Sequence, residues 1–267
     1  KIDIKVTNFE RANTQIDDER KRASKSDKPN ALLKLTMYHP RNTQELFLTD
    51  SGNNFPIDLC RAQLAKIEQT PVGQAVSLYI DIDGKVKHRV SEKKLVTDLP
   101  VKNNSYKEGV IWIYEFPKHD APFTLYVAGN DPYKTAQSAQ SDSLGATYIY
   151  KRIHTIAGED FQDTIVAQYV GRPNDMDVWL ENTRLLLKFY RAYCLCENND
   201  EVFIRYMIGL NEAPIYLAPT PQFLRDLTPT SKVRKDYGIH ATEKLINLLH
   251  TDINQYLREV INTEKDE

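Results

Sequence analysis

The feature that most constrains this chain is the run FTLYVAGND over residues 123–131, stopped by Pro132. Leu125 to Ala128 are apolar without a break. A nearly continuous apolar run of this length reads as a strand buried on both faces. Gly129 lets another group approach the backbone closely, and Pro132 ends the strand. Asp131 is thereby delivered to the end of a buried strand. A carboxylate there must be paired, hydrogen-bonded or bound to a cation. The plainer alternative is a turn cap, since Asp-Pro pairs are common in turns.

The segments after this run set the fold class. Leu144 to Ile153 and Thr164 to Val170 are two more strand-like segments, and the three together read as an antiparallel meander. Pro173, Asn174 and Asp175 open a helix with good capping residues. Met176, Trp179, Leu180, Thr183, Leu186, Leu187 and Tyr190 share one face of that helix. Cys194 to Cys196 is a very short fourth strand, Asp200 to Leu210 a helix, and Ile215 to Leu217 a fifth short strand. Residues 219–238 read as loop. Ala241 to Val260 forms a long amphipathic pattern. This order predicts an α/β fold with helices packed on a mixed sheet.

The N-terminal part has a different grammar. Residues 1–30 are polar, with a charge cluster from Asp17 to Lys28 that reads as a solvated helix or connector. Pro56 precedes a helical pattern ending at Pro71 and Gly73. Residues 76–82 and 85–90 alternate around Asp83-Gly84, a strong hairpin signal. Val110 to Tyr114 is a further strand. Pro117 and Pro122 bracket a polar break, which puts the expected boundary between an α+β connector (1–118) and a core (119–267).

Composition narrows the function classes. The 267 residues are 41% hydrophobic, enough for a proper core. Net charge is −2, so a nucleic-acid partner must meet a local basic surface or bound cations. Cys60, Cys194 and Cys196 make an odd count, which fits a reducing compartment better than a disulfide framework. No apolar run approaches the ~20 residues of a membrane span, and no signal peptide is present, so neither a membrane nor secretion is expected. The chain starts without Met and ends in a polar stretch, Asn262 to Glu267. The expectation is a C-terminally truncated fragment of a larger polypeptide.

Glu197 repeats the Asp131 arrangement. It closes the fourth strand and is followed by Asn198 and Asn199. Alone it fits an Asx-rich turn into the next helix, capped by Asn199 or Asp200. If strands one and four are neighbours, as in one common α/β arrangement, the two carboxylates sit side by side. Such oxygen ligands suit hard divalent cations.

The order of elements and the positions of the two acids resemble the RNase H-like nuclease fold. More specifically, LYVAGNDPY (125–133), SLGATYIYKR (143–152), IVAQYVGRP (165–173), CLCENN (194–199) and GIHATEK (238–244) resemble the nuclease half of the large terminase subunit of tailed bacteriophages. SGNNFP (51–56) is similar to the segment joining motor and nuclease there. The resemblance implies a metal-dependent endonuclease that cuts concatemeric viral DNA during packaging. It implies Asp131 and Glu197 as ligands of Mg²⁺ or Mn²⁺, with two ions expected. It also implies double-stranded DNA, a motor domain, a small terminase subunit and a portal as partners, in the host cytoplasm.

Departures from the pattern are visible. The family's third acid is not placed, Asp252 reading as a solvated helix residue. Asn130 stands where an apolar residue is usual. No GxxxxGK[ST] phosphate loop is present, so ATP hydrolysis by that route is not expected. Lys232, Arg234, Lys235 and Lys244 are candidate phosphate contacts, giving affinity without sequence selectivity. His154, His240 and His250 are not spaced as a metal set. The alternatives are a resolvase- or transposase-like nuclease of the same fold, preferring branched or end-specific DNA, and a non-catalytic fragment that docks on a portal or motor.

Overall fold

In the computed structural model, described residues are 9–26, 31–39, 56–97, 101–102, 105–133, 143–152, 163–221 and 236–242, with short stretches at 154–156, 159–161, 245–246, 249–250 and 252–253. The chain divides into two compact units, Lys1–Phe55 and Pro56–Glu267. The first unit contains α1 (Phe9–Ser24), carrying the charge cluster, and α2 (Ala31–Tyr38). Within it, the Arg20 guanidinium donates to the His39 carbonyl at 2.8 Å.

The second unit opens with α3 (Ile57–Gln69), which follows Pro56 as the sequence predicts. Then come β1 (Gln74–Ile80), β2 (Val86–Val90) and β3 (Val110–Ile113), followed by β4 (Tyr126–Asp131) and β5 (Gly145–Lys151). A small separate pair, β6 (His154–Ile156) and β7 (Glu159–Phe161), precedes β8 (Thr164–Gly171). The unit continues through α4 (Met176–Tyr190), β9 (Tyr193–Cys196), α5 (Val202–Gly209) and α6 (Ala213–Tyr216).

Seven strands form one mixed, open sheet in the order β2-β1-β3-β8-β5-β4-β9, flanked by helices. All its strand pairings are antiparallel except β4 with β9. The expected meander is present, as is the α/β layering. The expected boundary near His119 falls between β3 and β4, two strands of this one sheet, with β3 hydrogen-bonded to β8.

Local chemistry explains the elements that carry the sheet. The β1–β2 turn uses Gly84 at φ +72°, a left-handed conformation that glycine adopts without steric cost. Asp81 Oδ1 accepts from the Ile82 amide at 2.8 Å, holding the same turn. Asp175 caps α4 by accepting from the Asp177 amide at 2.9 Å. Trp179, Leu180, Thr183, Leu186, Leu187 and Tyr190 are buried, so the helical face is the one the spacing predicts.

That face rests on β1, β2, β5 and β8. Trp179 lies in the middle, 5.6 Å from the Tyr133 ring and 6.1 Å from Phe203, centre to centre. Strand β4 is not buried on both faces. Tyr126, Ala128 and Asn130 are buried while Gly129 and Asp131 are exposed. The apolar run serves one helix-covered face only, and Val127 on the other side is half-buried. Ile215 to Leu217 also differs from expectation. Residues 213–216 form the single turn α6, and only Leu217 reaches the sheet, through one parallel bridge to Cys194. Pro214 at the first turn favours that helix.

Candidate functional site

Register brings Asp131 and Glu197 together. Parallel pairing sets Asn130 against Cys196, so the next residue on each strand is one of the two acids. The Glu197 amide donates to the Asn130 carbonyl at 2.7 Å, extending the ladder by one bond. Both carboxylates line a cleft of about 290 Å³, with Pro132, Ser143, Leu144, Asn199 and Asp200 completing the wall. The strands that end in the two acids are therefore neighbours, the arrangement on which their side-by-side placement depends.

Glu197 is held from its far side as well. The Asn199 side-chain amide donates to Glu197 Oε1, and Asn199 Oδ1 accepts from the Ala241 amide at 3.1 Å. Asn198 donates to the Tyr237 carbonyl at 3.0 Å and its own amide donates to the Ile239 carbonyl at 2.8 Å. Gly238, at φ +77°, passes so close that a Cβ there would sit 2.5 Å from the Cys196 carbonyl oxygen. Residues 237–241 thus fix the turn that carries Glu197. His240 belongs to this segment, and its Nδ1 is buried with no hydrogen-bond partner among the described residues.

Asp200 is the residue whose place in the cleft the sequence did not reveal. It reads as a helix cap, and its Oδ1 does accept from the Val202 amide at 3.2 Å. It also faces the cleft with Asp131 and Glu197. The only sequence signal is its spacing, three residues after Glu197 in the run ENND.

Asn130 is explained by the alternation of the strand. It points away from Asp131 into the helix-covered face, where its Nδ2 donates to Thr147 Oγ1 at 2.8 Å. Thr147 Oγ1 in turn lies 3.5 Å from Thr183 Oγ1 on α4. The polar residue in the apolar slot faces polar partners behind the sheet.

One arginine reaches the cleft wall through Ser143. The Arg172 guanidinium lies 4.5 Å from the centre of the Tyr133 ring and donates to the Ser143 carbonyl at 2.9 Å. Tyr133 donates to the Pro173 carbonyl at 3.2 Å. Burial pushes the Tyr133 phenol above its ordinary value. It therefore stays a donor at neutral pH. Arg172 thus contacts both Tyr133 and Ser143.

Lys232, Arg234, Lys235 and Lys244 lie outside the described residues, as does most of the C-terminal amphipathic pattern. Cys194 and Cys196 are buried with their sulfurs 3.6 Å apart. Burial pushes the Cys194 thiol well up, so it is an apolar filler rather than a thiolate ligand. Among the described residues no three His, Cys, Asp or Glu side chains are grouped as a ready-made metal cluster. No described helix is long and apolar enough to cross a membrane.

The side-chain donors lining the cleft are oxygens, from three carboxylates, the Ser143 hydroxyl and the Asn199 amide. That set suits a hard divalent cation and not a soft one. Two carboxylates are also enough for Mg²⁺, which usually keeps several waters and takes further ligands from a substrate phosphate. No known protein-family model and no curated protein matches the chain.

Proposed function

We propose that this chain is a divalent-metal-dependent endodeoxyribonuclease of the RNase H-like type, the nuclease half of a phage large terminase. The observation that carries the reading is the pairing of Asp131 and Glu197 at the ends of adjacent parallel strands, facing one cleft. The topology supports it too. Three antiparallel strands, a helix and a fourth strand parallel to the first come in the order the resemblance implies.

Asp131 and Glu197 are the residues that would hold the cation, with Asp200 on the same wall. A bound divalent cation supplies positive charge for the phosphodiester and makes water easier to deprotonate. The protein's own share is to concentrate negative charge at one place and to fix its geometry. Glu197 is oriented by Asn199, and Asp131 by the strand and Pro132. Gly129, two positions before Asp131 on the same side, leaves space in which a Cβ would meet nothing within 4 Å. That space is where a bulky duplex backbone can come close. Nothing in the sequence resembles a base-reading motif, so cutting is expected to be weakly sequence-selective. The motor domain, small subunit and portal as partners, and action in the host cytoplasm, rest on the same resemblance.

The test is plasmid nicking by the purified protein with Mg²⁺ or Mn²⁺. Asp131→Ala and Glu197→Gln are each expected to lower the rate by about 10²-fold or more, the scale of losing one electrostatic stabiliser. Metal-dependent cutting that survives in Asp131→Ala overturns the assignment.

A further inference from the structure

The β1–β2 hairpin carries a cationic stripe that the cleft does not use. Residues 85–94 contain Lys85, Lys87, Arg89, Lys93 and Lys94 against a single acid, Glu92. Register sorts them. Tyr79 pairs with Lys87 and Ser77 with Arg89, while Leu78 pairs with His88. The buried side of the hairpin is Val76, Leu78 and half-buried Val86, with His88 against Phe189 of α4. Lys85, Lys87 and Arg89 therefore project from the opposite side, and all three are exposed.

That side is also the side of the acids. Across the sheet, Ala75 meets Trp112, Trp112 meets Gln168, Gln168 meets Tyr148, and Tyr148 meets Gly129. Gly129 shares its side of β4 with Asp131. Thr147, Tyr169 and Asn130 lie on the other side, toward α4. The stripe and the acids are thus on one side of one sheet. Five inter-strand steps of ~4.8 Å separate them, about 24 Å. Along a duplex that is roughly seven base pairs at 3.4 Å each.

We infer that the exposed side of β2 is a phosphate-backbone contact for the duplex whose scissile bond lies at the acid cleft. This rests on the nuclease reading. The occupant is double-stranded DNA because the stripe is cationic, continuous over alternate residues, and roughly seven base pairs of duplex from the acids. A cleft lined by carboxylates repels a polyanion until cations bind, so affinity must come from positive charge set back from it. Lys87 and Arg89 supply it from β2, and Lys85 from the residue just before that strand. Lys87 also contacts Asp81, which offsets part of its charge until a phosphate displaces the carboxylate.

The experiment measures binding of a labelled 30-base-pair duplex by anisotropy in EDTA, where no cutting occurs, across a salt series. The Lys85→Ala/Lys87→Ala/Arg89→Ala protein is expected to bind at least about tenfold more weakly, with a log–log salt slope reduced by two to three, about 0.9 per lost contact. Arg89→Glu alone leaves the Asp81–Lys87 contact in place and is expected to weaken binding with unchanged thermal unfolding. Arg61→Ala/Lys66→Ala, on α3, is the control for loss of positive charge elsewhere on the protein and is expected to have little effect. An equal loss in the control, or an unchanged slope in the triple variant, overturns the inference. So does a triple variant that self-associates yet binds normally, which would assign the lysines to protection of the edge strand. Asp131-dependent cutting with an unchanged slope sinks the hairpin contact alone, whereas Asp131-independent cutting sinks the nuclease reading.

Discussion

Two glycines show how much a single hydrogen atom decides. At Gly145 an added Cβ would lie 2.5 Å from the Trp179 ring, which is fully buried. Gly145→Ala is expected to cost about 1–3 kcal/mol through overpacking, read as a lower urea midpoint. At Gly129 the added Cβ meets nothing within 4 Å. Gly129→Leu should leave stability within about 1 kcal/mol but put bulk beside Asp131. DNA cutting is then expected to fall while the urea midpoint holds. The sequence singled out Gly129 as a place of close approach. It held no reason to single out Gly145, because the Trp179 contact joins two elements more than thirty residues apart.

At the scale of elements, α4, α5 and α6 are tied by charge. Arg184 donates from Nε and Nη2 to Glu212 at 2.6 and 2.9 Å and from Nη1 to Glu181 at 2.8 Å. Lys188 donates to Glu212 at 2.6 Å, and Tyr206 donates to Glu181 at 2.5 Å. The hydrogen bond from Arg184, then that from Lys188, holds the Glu212 carboxyl below its ordinary range against the opposing effect of burial. Burial and Glu181 push the Tyr206 phenol up to about 12, so it remains a donor. Because the native pKa of Glu212 is depressed, its contribution is complete above the unfolded value of 4.5 and is lost as pH falls below it through the native value. Glu212→Gln is expected to cost about 2 kcal/mol at pH 7, the scale of hydrogen bonds to a charged group. The cost should shrink below pH 4.5. Urea unfolding at pH 7 and pH 4 checks it; an equal loss at both would show that charge is not what Glu212 contributes. These helices were legible as elements, since their apolar spacing is local. Their ion pairs were not, because partners 28 and 24 residues apart are chosen by packing.

For the whole molecule, the sheet is the unit that matters. Strands β1 to β3 add to the edge of β8, and α4 rests on β1 and β2. A chain beginning at His119 would leave β8 with an unpaired edge and α4 with part of its apolar face uncovered. Such a chain is expected to aggregate or to lose its cooperative thermal transition. A chain beginning at Pro56 should keep it. Circular dichroism melts and sizing of the two chains test this. If the His119 chain melts cooperatively as a monomer, β1 to β3 are dispensable.

The sequence by itself determined the strands and helices that carry the site, their order, and the two acids that end β4 and follow β9, but not the β6–β7 pair. Those come from local rules: apolar periodicity, the Asp-Gly turn, the Asp175 cap and the Gly-to-Pro setting of Asp131. It overstated the burial of β4, because an unbroken apolar run does not say how many faces are covered. It read Ile215 to Leu217 as a strand, where a proline-started turn took Ile215 and Tyr216 and left only Leu217 bridged to Cys194. Only the tertiary structure decided that Asp131 and Glu197 share a cleft, that Asp200 joins them, that Arg172 reaches the cleft wall through Ser143, and that Lys85, Lys87 and Arg89 lie on the side of the acids. The pairing of the two acids and the side on which the cations lie depend on register between strands distant in sequence. A shift of one residue would turn every one of those side chains to the other face.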